Sequence, residues 1–195
     1  LLVDLDFIET ILKNNKDSIV VVDEAYIDFG GVSCVPLIHQ YDNLVVIQTF
    51  SKSRSLAGSR IGVALGSKEA ISHLYDVKNS FNSYPVDYVT QQVALASVLD
   101  SQDMKDKCKK VINTRERTKV ALKELGFIVP DSYSNFVFVK HPEVDGKTLF
   151  LALRKEGIIV RHWDKENISQ YLRITIGTDE QMDRLLAFLK DYLKR

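Results

Sequence analysis

Thr49-Phe50-Ser51-Lys52-Ser53-Arg54-Ser55-Leu56-Ala57-Gly58-Ser59-Arg60-Ile61-Gly62 is the stretch whose reading decides the fold. Hydroxyl residues stand just ahead of a lysine, small residues follow it, and an arginine comes eight positions on. Upstream, Leu44-Val45-Val46-Ile47-Gln48 is almost wholly apolar. Further upstream, Ile19-Val20-Val21-Val22-Asp23 is an apolar run that ends in an acid. Near-continuous apolar runs are expected of parallel strands covered on both faces. Arg60 to Leu65 reads as a third such strand. Asp23 and Lys52 then fall just past the carboxyl ends of strands, where open α/β sheets bind their ligands.

Lysine, hydroxyls, arginine and aspartate are the parts needed to hold pyridoxal 5'-phosphate (PLP). PLP is an electron sink, and the protein supplies its anchorage and electronics. A lysine amine forms a Schiff base with the aldehyde and is activated by desolvation or a nearby cation. An acid must pair with the ring nitrogen so that it stays protonated. The phosphate takes hydroxyl and backbone donors plus a bidentate cation, which favours arginine. Lys52 is therefore the candidate catalytic residue, and Asp23, Tyr26, Thr49, Ser51 and Arg60 are candidate cofactor contacts.

Each has a plainer alternative. Asp23 pairs with a pyridinium N–H or caps a turn. Tyr26 donates its phenol to the ring oxygen or bonds to backbone in the core. Thr49 and Ser51 alternate with Phe50, so an extended backbone projects both to one side. They serve a phosphate or ordinary turn chemistry. Gly58 and Gly62 permit close backbone approach. Arg54 reads as a solvated loop charge.

The 195 residues are 45% hydrophobic and 27% charged, which is ordinary globular composition for one or two domains. The formal net charge is zero, and neither a nucleic-acid footprint nor a polybasic membrane patch stands out. The basic cluster Lys105 to Lys110 reads as the solvated face of a helix. Cys34 and Cys108 have no metal or redox spacing and suit a reducing cytosol, which predicts a cytoplasmic protein. No apolar run reaches the length of a membrane span. His39, His73, His141 and His162 form no metal spacing, so no metal is expected. The first residues, Leu-Leu-Val-Asp-Leu-Asp, carry no signal-peptide pattern and no methionine, which fits a processed chain or a fragment.

Asp4 to Lys13 has the spacing of an amphipathic helix, with Phe7, Ile8, Ile11 and Leu12 on one side. Lys68 to Val77, Tyr84 to Leu99 and Lys105 to Leu125 read as further helices, the last closed by Gly126. Beyond it the pattern predicts strands at Phe127 to Val129, Phe136 to Val139, Ile158 to Arg161 and Tyr171 to Ile176. Helices at Asp145 to Glu156 and Asp179 to Lys194 alternate with them, and Thr178 is a good N-cap for the second. The segment Asn79 to Pro85 lines a pocket or subunit contact, or simply joins two helices. The expected organisation is an α/β layer over residues 1–110 with a mostly parallel PLP-binding sheet, then a small α+β domain over 111–195.

Arg161 and Arg173 sit at opposite ends of the small domain's strand pair. An arginine inside an apolar strand is expensive unless it grips an anion. A substrate anion is the reading for Arg173. Arg161 holds either the same anion or a structural salt bridge.

Val22-Asp23-Glu24-Ala25-Tyr26, Phe50-Ser51-Lys52 through Gly62, Ser134-Asn135-Phe136, Val160-Arg161-His162-Trp163 and Tyr171-Leu172-Arg173-Ile174-Thr175-Ile176-Gly177 occur in this order. Together they resemble the class II branch of the fold-type I PLP aminotransferases, above all the histidinol-phosphate aminotransferase family, in its C-terminal portion. The resemblance implies that Lys52 carries the cofactor and shuttles the proton. It implies Asp23 at the pyridine nitrogen, Tyr26 at the ring hydroxyl, and Thr49, Ser51 and Arg60 around the phosphate. Arg173 would bind the carboxylate of glutamate or 2-oxoglutarate, and Arg161 with Arg173 the phosphate of histidinol phosphate. A homodimer is implied in the same way. Threonine-phosphate decarboxylases look similar, and an inactive fragment is a further alternative. Ser53-Arg54-Ser55 replaces the family's more usual Ala-Phe-Gly. The family's Asn-Pro-x-x-Pro-Thr-Gly segment and the aromatic that stacks on PLP have no match here.

Overall fold

A run of β-branched residues favours extended backbone, and Val20–Asp23 forms strand β1. Leu44–Thr49 forms β2, parallel to β1 with Asp23 opposite Ile47. Gly62–Gly66 forms β3, and it runs antiparallel to β2, with Thr49 opposite Gly62. The third strand was expected to be parallel like the others. A parallel return needs a crossover of a dozen or more residues, usually a helix. Residues 50–61 instead hold the lysine segment and one short 3-10 turn, Ala57–Ser59, so the chain folds straight back.

The computed structural model describes residues 2–194. The chain divides into two compact units, Leu2–Asp106 and the stretch from Lys107 onward, each with its own three-stranded sheet. The architecture is α/β.

In the first unit, helix α1 (Leu5–Asn14) starts at Asp4, whose side chain accepts from Asp6 N. It buries Ile8 and Leu12 against Val20, Val22, Leu44 and Val46, together with Cys34 and Leu37 from the loop between β1 and β2. Phe7 points outward instead. The sheet is covered on this face alone. Val21 on the other face is 55% exposed and Ile47 42%, so the apolar runs are not buried on both sides within this chain. Helices α2 (Lys68–Phe81) and α3 (Tyr88–Leu99) follow, capped by Ser67 and Asp87. Helix α3 begins later than expected because Asp87 accepts from Thr90 N at 2.9 Å and fixes the first turn there. Both helices leave large apolar side chains in the open, among them Phe81 and Leu99, with Tyr84 exposed between the helices.

Helix α4 (Ser101–Glu124) carries the chain from one unit into the next, with Lys105, Lys109 and Lys110 exposed. It stops at Gly126, whose φ of 86° lies in the left-handed region. In the second unit, β4 (Phe136–Val139), β5 (Arg161–His162) and β6 (Leu172–Thr175) form an antiparallel sheet in the order β4-β6-β5. Val137, Val139, Leu172 and Ile174 point into a core with Leu149 and Leu153 of α5 (Gly146–Lys155) and Met182, Leu185 and Leu189 of α6 (Asp179–Tyr192). A capping box between Thr178 and Gln181 starts α6. Phe127 to Val129, expected as a strand, makes only one bridge, Ile128 to Lys140. Pro130 follows and has no N–H with which to extend a ladder.

Candidate active site

Parallel pairing of β1 and β2 brings both carboxyl ends to one edge of the first sheet, and the predicted cofactor residues gather there. Asp23 ends β1. It is exposed, and its Oδ1 accepts from Ala25 N at 2.9 Å. The chain then turns into a short 3-10 helix, Ile27–Phe29, with Tyr26 as its N-cap. From the end of β2 the lysine segment reaches back. The Lys52 Nζ lies 5.7 Å from the centroid of the Tyr26 ring. Ser53, buried, donates to the Asp28 carboxylate and pins the segment to the same turn. The amine and the phenol ring are thus held near one another by a hydrogen bond from the residue after Lys52 to the second residue after Tyr26.

Thr49 and Ser51 meet through a turn rather than along extended backbone, which is the plainer alternative: Thr49 Oγ1 donates to Ser51 Oγ at 3.0 Å, and Ser51 N donates to Thr49 Oγ1 at 3.1 Å. Arg60 was expected to begin the third strand. It lies in the turn before it, in left-handed backbone with φ of 53°, and its guanidinium donates to Ala57 O at 3.0 Å. Phe50 N donates to Ile61 O just beyond the last ladder pair, which ties the start of the lysine segment to the end of the Arg60 turn. Gly62 meets the expectation of close approach, since a Cβ there would come within 2.9 Å of Gln48 O. Gly58 does not, since a Cβ there would meet nothing within 4 Å.

Arg54 is not a solvated charge. It is half-buried, donates to Ser97 O in α3 and lies 5.3 Å from the Phe50 ring centroid. Ser55 has a φ of 57°, in the left-handed region. A side chain in that region strains the backbone. Ser55→Gly should therefore raise stability by about 0.5–1 kcal/mol, the relief exceeding the extra freedom of the unfolded chain. Urea denaturation checks this, and an unchanged or lowered midpoint would mean that no strain is held there.

Glu24 was missed as a functional residue. It is buried, and its carboxylate accepts from Ser33 Oγ at 2.7 Å, Cys34 N at 2.7 Å and Gln48 Nε2 at 2.9 Å. It ties the loop after Tyr26 to β2 directly before Thr49. Burial, together with the Glu24 hydrogen bond, pushes the Cys34 thiol up to about 12, so that cysteine is an inert part of the core. Three donors around one buried carboxylate cannot be read from spacing, because they come from two separate segments, the adjacent pair Ser33 and Cys34 and the strand residue Gln48.

The predicted arginines lie in the second unit. They were expected at opposite ends of a strand pair. They stand directly across from one another, Arg161 on β5 facing Arg173 on β6. Neither forms an ion pair among the described residues, and the Arg173 Nε is a buried donor with no acceptor among them. Aromatic rings surround them instead. The Arg173 guanidinium lies 5.1 Å from the Phe136 centroid and 5.5 Å from that of Trp163, and Arg161 lies 5.3 Å from Trp163. Like charges placed opposite in an antiparallel pair repel. Two unpaired guanidiniums on one sheet face are an arrangement that an anion completes. Phe136 and Trp163 were also missed, although alternation along a strand places a residue two beyond Arg161 on the same face.

The donor set fits PLP. An exposed acid stands at a strand end, an amine lies beside a phenol ring, and a hydroxyl pair adjoins an arginine-bearing turn. Among the described residues no group of three or more His, Cys, Asp or Glu is arranged to hold a metal ion, and no helix is long and apolar enough to cross a membrane.

Fold and site define a class of protein: the chain belongs to the class I and II aminotransferase family, whose model it matches over residues 1–189. It is similar to the histidinol-phosphate aminotransferase of Lactococcus lactis subsp. cremoris (strain SK11), with 59% identity over 192 residues, covering 98% of this chain and 54% of that protein. The chain spans about half the length of the curated relatives it matches. Its fold is that of the histidinol-phosphate aminotransferase from Clostridium acetobutylicum, at a TM-score of 0.90 and 23% identity over 99% of this chain and 60% of that one. The enzyme from Sinorhizobium meliloti, solved in complex with pyridoxal-5'-phosphate, matches at a TM-score of 0.80 and 24% identity over 95% of this chain and 52% of that one.

Proposed function

We propose that this chain carries the lysine-bearing part of a PLP-dependent aminotransferase acting on histidinol phosphate with 2-oxoglutarate as amino acceptor, in histidine biosynthesis. The observation that carries the reading is the Lys52 amine beside the Tyr26 ring at the strand edge that also bears Asp23. PLP supplies an electron sink for the bond broken at the substrate carbon.

The chain's own residues do the rest. Lys52 would hold PLP through its Nζ, and the same amine would carry the proton at the reacting carbon. Asp23 accepts from the ring nitrogen and keeps it protonated. Tyr26 donates to the ring oxygen. Thr49, Ser51 and the Arg60 guanidinium receive the phosphate, and that anion shares the turn in which Arg60 is held. Arg173 binds the carboxylate of glutamate, and Arg161 with Arg173 binds the phosphate of histidinol phosphate. Support for this substrate over a threonine-phosphate decarboxylation comes from the 59% identity to a histidinol-phosphate aminotransferase. The same reading makes the three-stranded first sheet part of a larger, mostly parallel sheet of fold type I. Residues 111–195 are then its small C-terminal domain, and the protein is a cytoplasmic homodimer.

The test is to mix the chain with PLP, reduce with borohydride, digest and map pyridoxyl-lysine by mass spectrometry. Labelling confined to Lys52 is expected. Labelling scattered over the chain's other lysines in both this chain and the full-length protein would refute the assignment.

A further inference from the structure

We infer that Trp163 is a positioning residue of the anion site, holding Arg161 and Arg173 as one clamp suited to a tetrahedral phosphate. The inference rests on the proposed anion-binding role of those arginines. Its own ground is the geometry around the indole. One ring stands 5.3 Å from the Arg161 guanidinium and 5.5 Å from that of Arg173. Tryptophan is the ring that attracts a cation most strongly. Arg161 and Arg173 face one another across β5 and β6, with no carboxylate paired to either among the described residues. The indole offers both the same negative π surface, so it lets them stay close while leaving their N–H groups unspent.

Further rings fix the indole. Trp163 meets Phe138 edge-on at 6.4 Å, and Phe138 stacks on Tyr171 at 4.5 Å with the rings 6° from parallel. Phe136 supports Arg173 from its own side at 5.1 Å. The aromatic group therefore acts as a rigid mount. Without Trp163, mutual repulsion drives the long Arg161 side chain away, and a site that gripped several phosphate oxygens becomes a single-arginine site. A carboxylate, which one bidentate guanidinium satisfies, suffers less than a phosphate.

Trp163 is the only tryptophan in the chain, so its fluorescence reports on the site directly. Inorganic phosphate titrated into this chain at constant ionic strength should change the emission saturably, and Arg173→Gln should abolish the change. In the active full-length enzyme, Trp163→Ala should raise the KM for histidinol phosphate roughly tenfold, the worth of two cation–π contacts. It should leave kcat and the KM for glutamate within about twofold, and Trp163→Phe should recover part of the loss. Equal losses for both substrates, a fall in kcat alone, or no phosphate response in a correctly folded chain would each overturn the inference. Because the Lys52 labelling does not involve Trp163, that reading can survive this failure. Conversely, a phosphate response without Lys52 labelling would leave the clamp standing and remove the cofactor assignment.

Discussion

Lys52→Ala in the active full-length enzyme is expected to lower amino transfer by roughly 10^3-fold or more, since both covalent anchorage and proton transfer depend on one amine. The effect should be almost purely catalytic. Lys52 is exposed, and its Nζ is held only near the Tyr26 ring. The segment is positioned by its neighbours, Ser53 on Asp28 and Arg54 on Ser97. The variant should thus keep its thermal stability to within about 0.5 kcal/mol, as for other surface substitutions. Steady-state rates together with a melting curve decide the matter. Near-native turnover would sink the assignment. A large loss of stability would show that the lysine is a structural residue.

Arg173→Ala should raise the KM for both histidinol phosphate and glutamate, by roughly 10^2-fold, the scale of a lost charge-assisted bidentate contact. Arg173 sits mid-strand in β6 between buried Leu172 and Ile174, yet its Nε has no acceptor among the described residues. A cation flanked there by rings, with no anion against it among the described residues, is placed to take one from outside the chain. Arg173→Lys should recover only part of the affinity, because an ammonium cannot offer the planar fork. Separate KM measurements for the two substrates are the check, and an unchanged KM for either would withdraw that half of the role.

Much of this site is legible in the chain before any coordinates. Strand-end placement follows from Asp23 and Lys52 each closing or following an apolar run, and the caps at Gly126 and Thr178 follow from local chemistry. What escapes are properties of pairs. The direction of β3 depends on how residues 50–61 spend their length, which composition does not state. That Arg161 faces Arg173 depends on the β5–β6 register, and a single strand carries no register. Arg54 reads as a loop charge because its acceptor, the Ser97 carbonyl, lies 43 residues away and backbone oxygens have no sequence signal. Glu24 escapes because its donors, Ser33, Cys34 and Gln48, lie 9 to 24 residues away and are brought to it by the fold. The one-sided cover of the first sheet was missed because apolar runs record what a strand tolerates, not what this length of chain provides.

The antiparallel return of β3 has a consequence for how the protein comes into being. Asp23, Tyr26, Thr49, Ser51, Lys52 and Arg60 all lie on or beside three strands that follow one another directly in the chain. The acid, the amine and the hydroxyl pair come from one stretch of chain, and α3 adds the Ser97 carbonyl that anchors Arg54. Short loops close at little entropic expense and early in time. A nascent chain can therefore bring these residues together once β3 is available and fix the lysine segment when α3 supplies Ser97, while the arginine-bearing unit is still being synthesised. The reactive amine is in place first, and the residues proposed to choose its substrate come last.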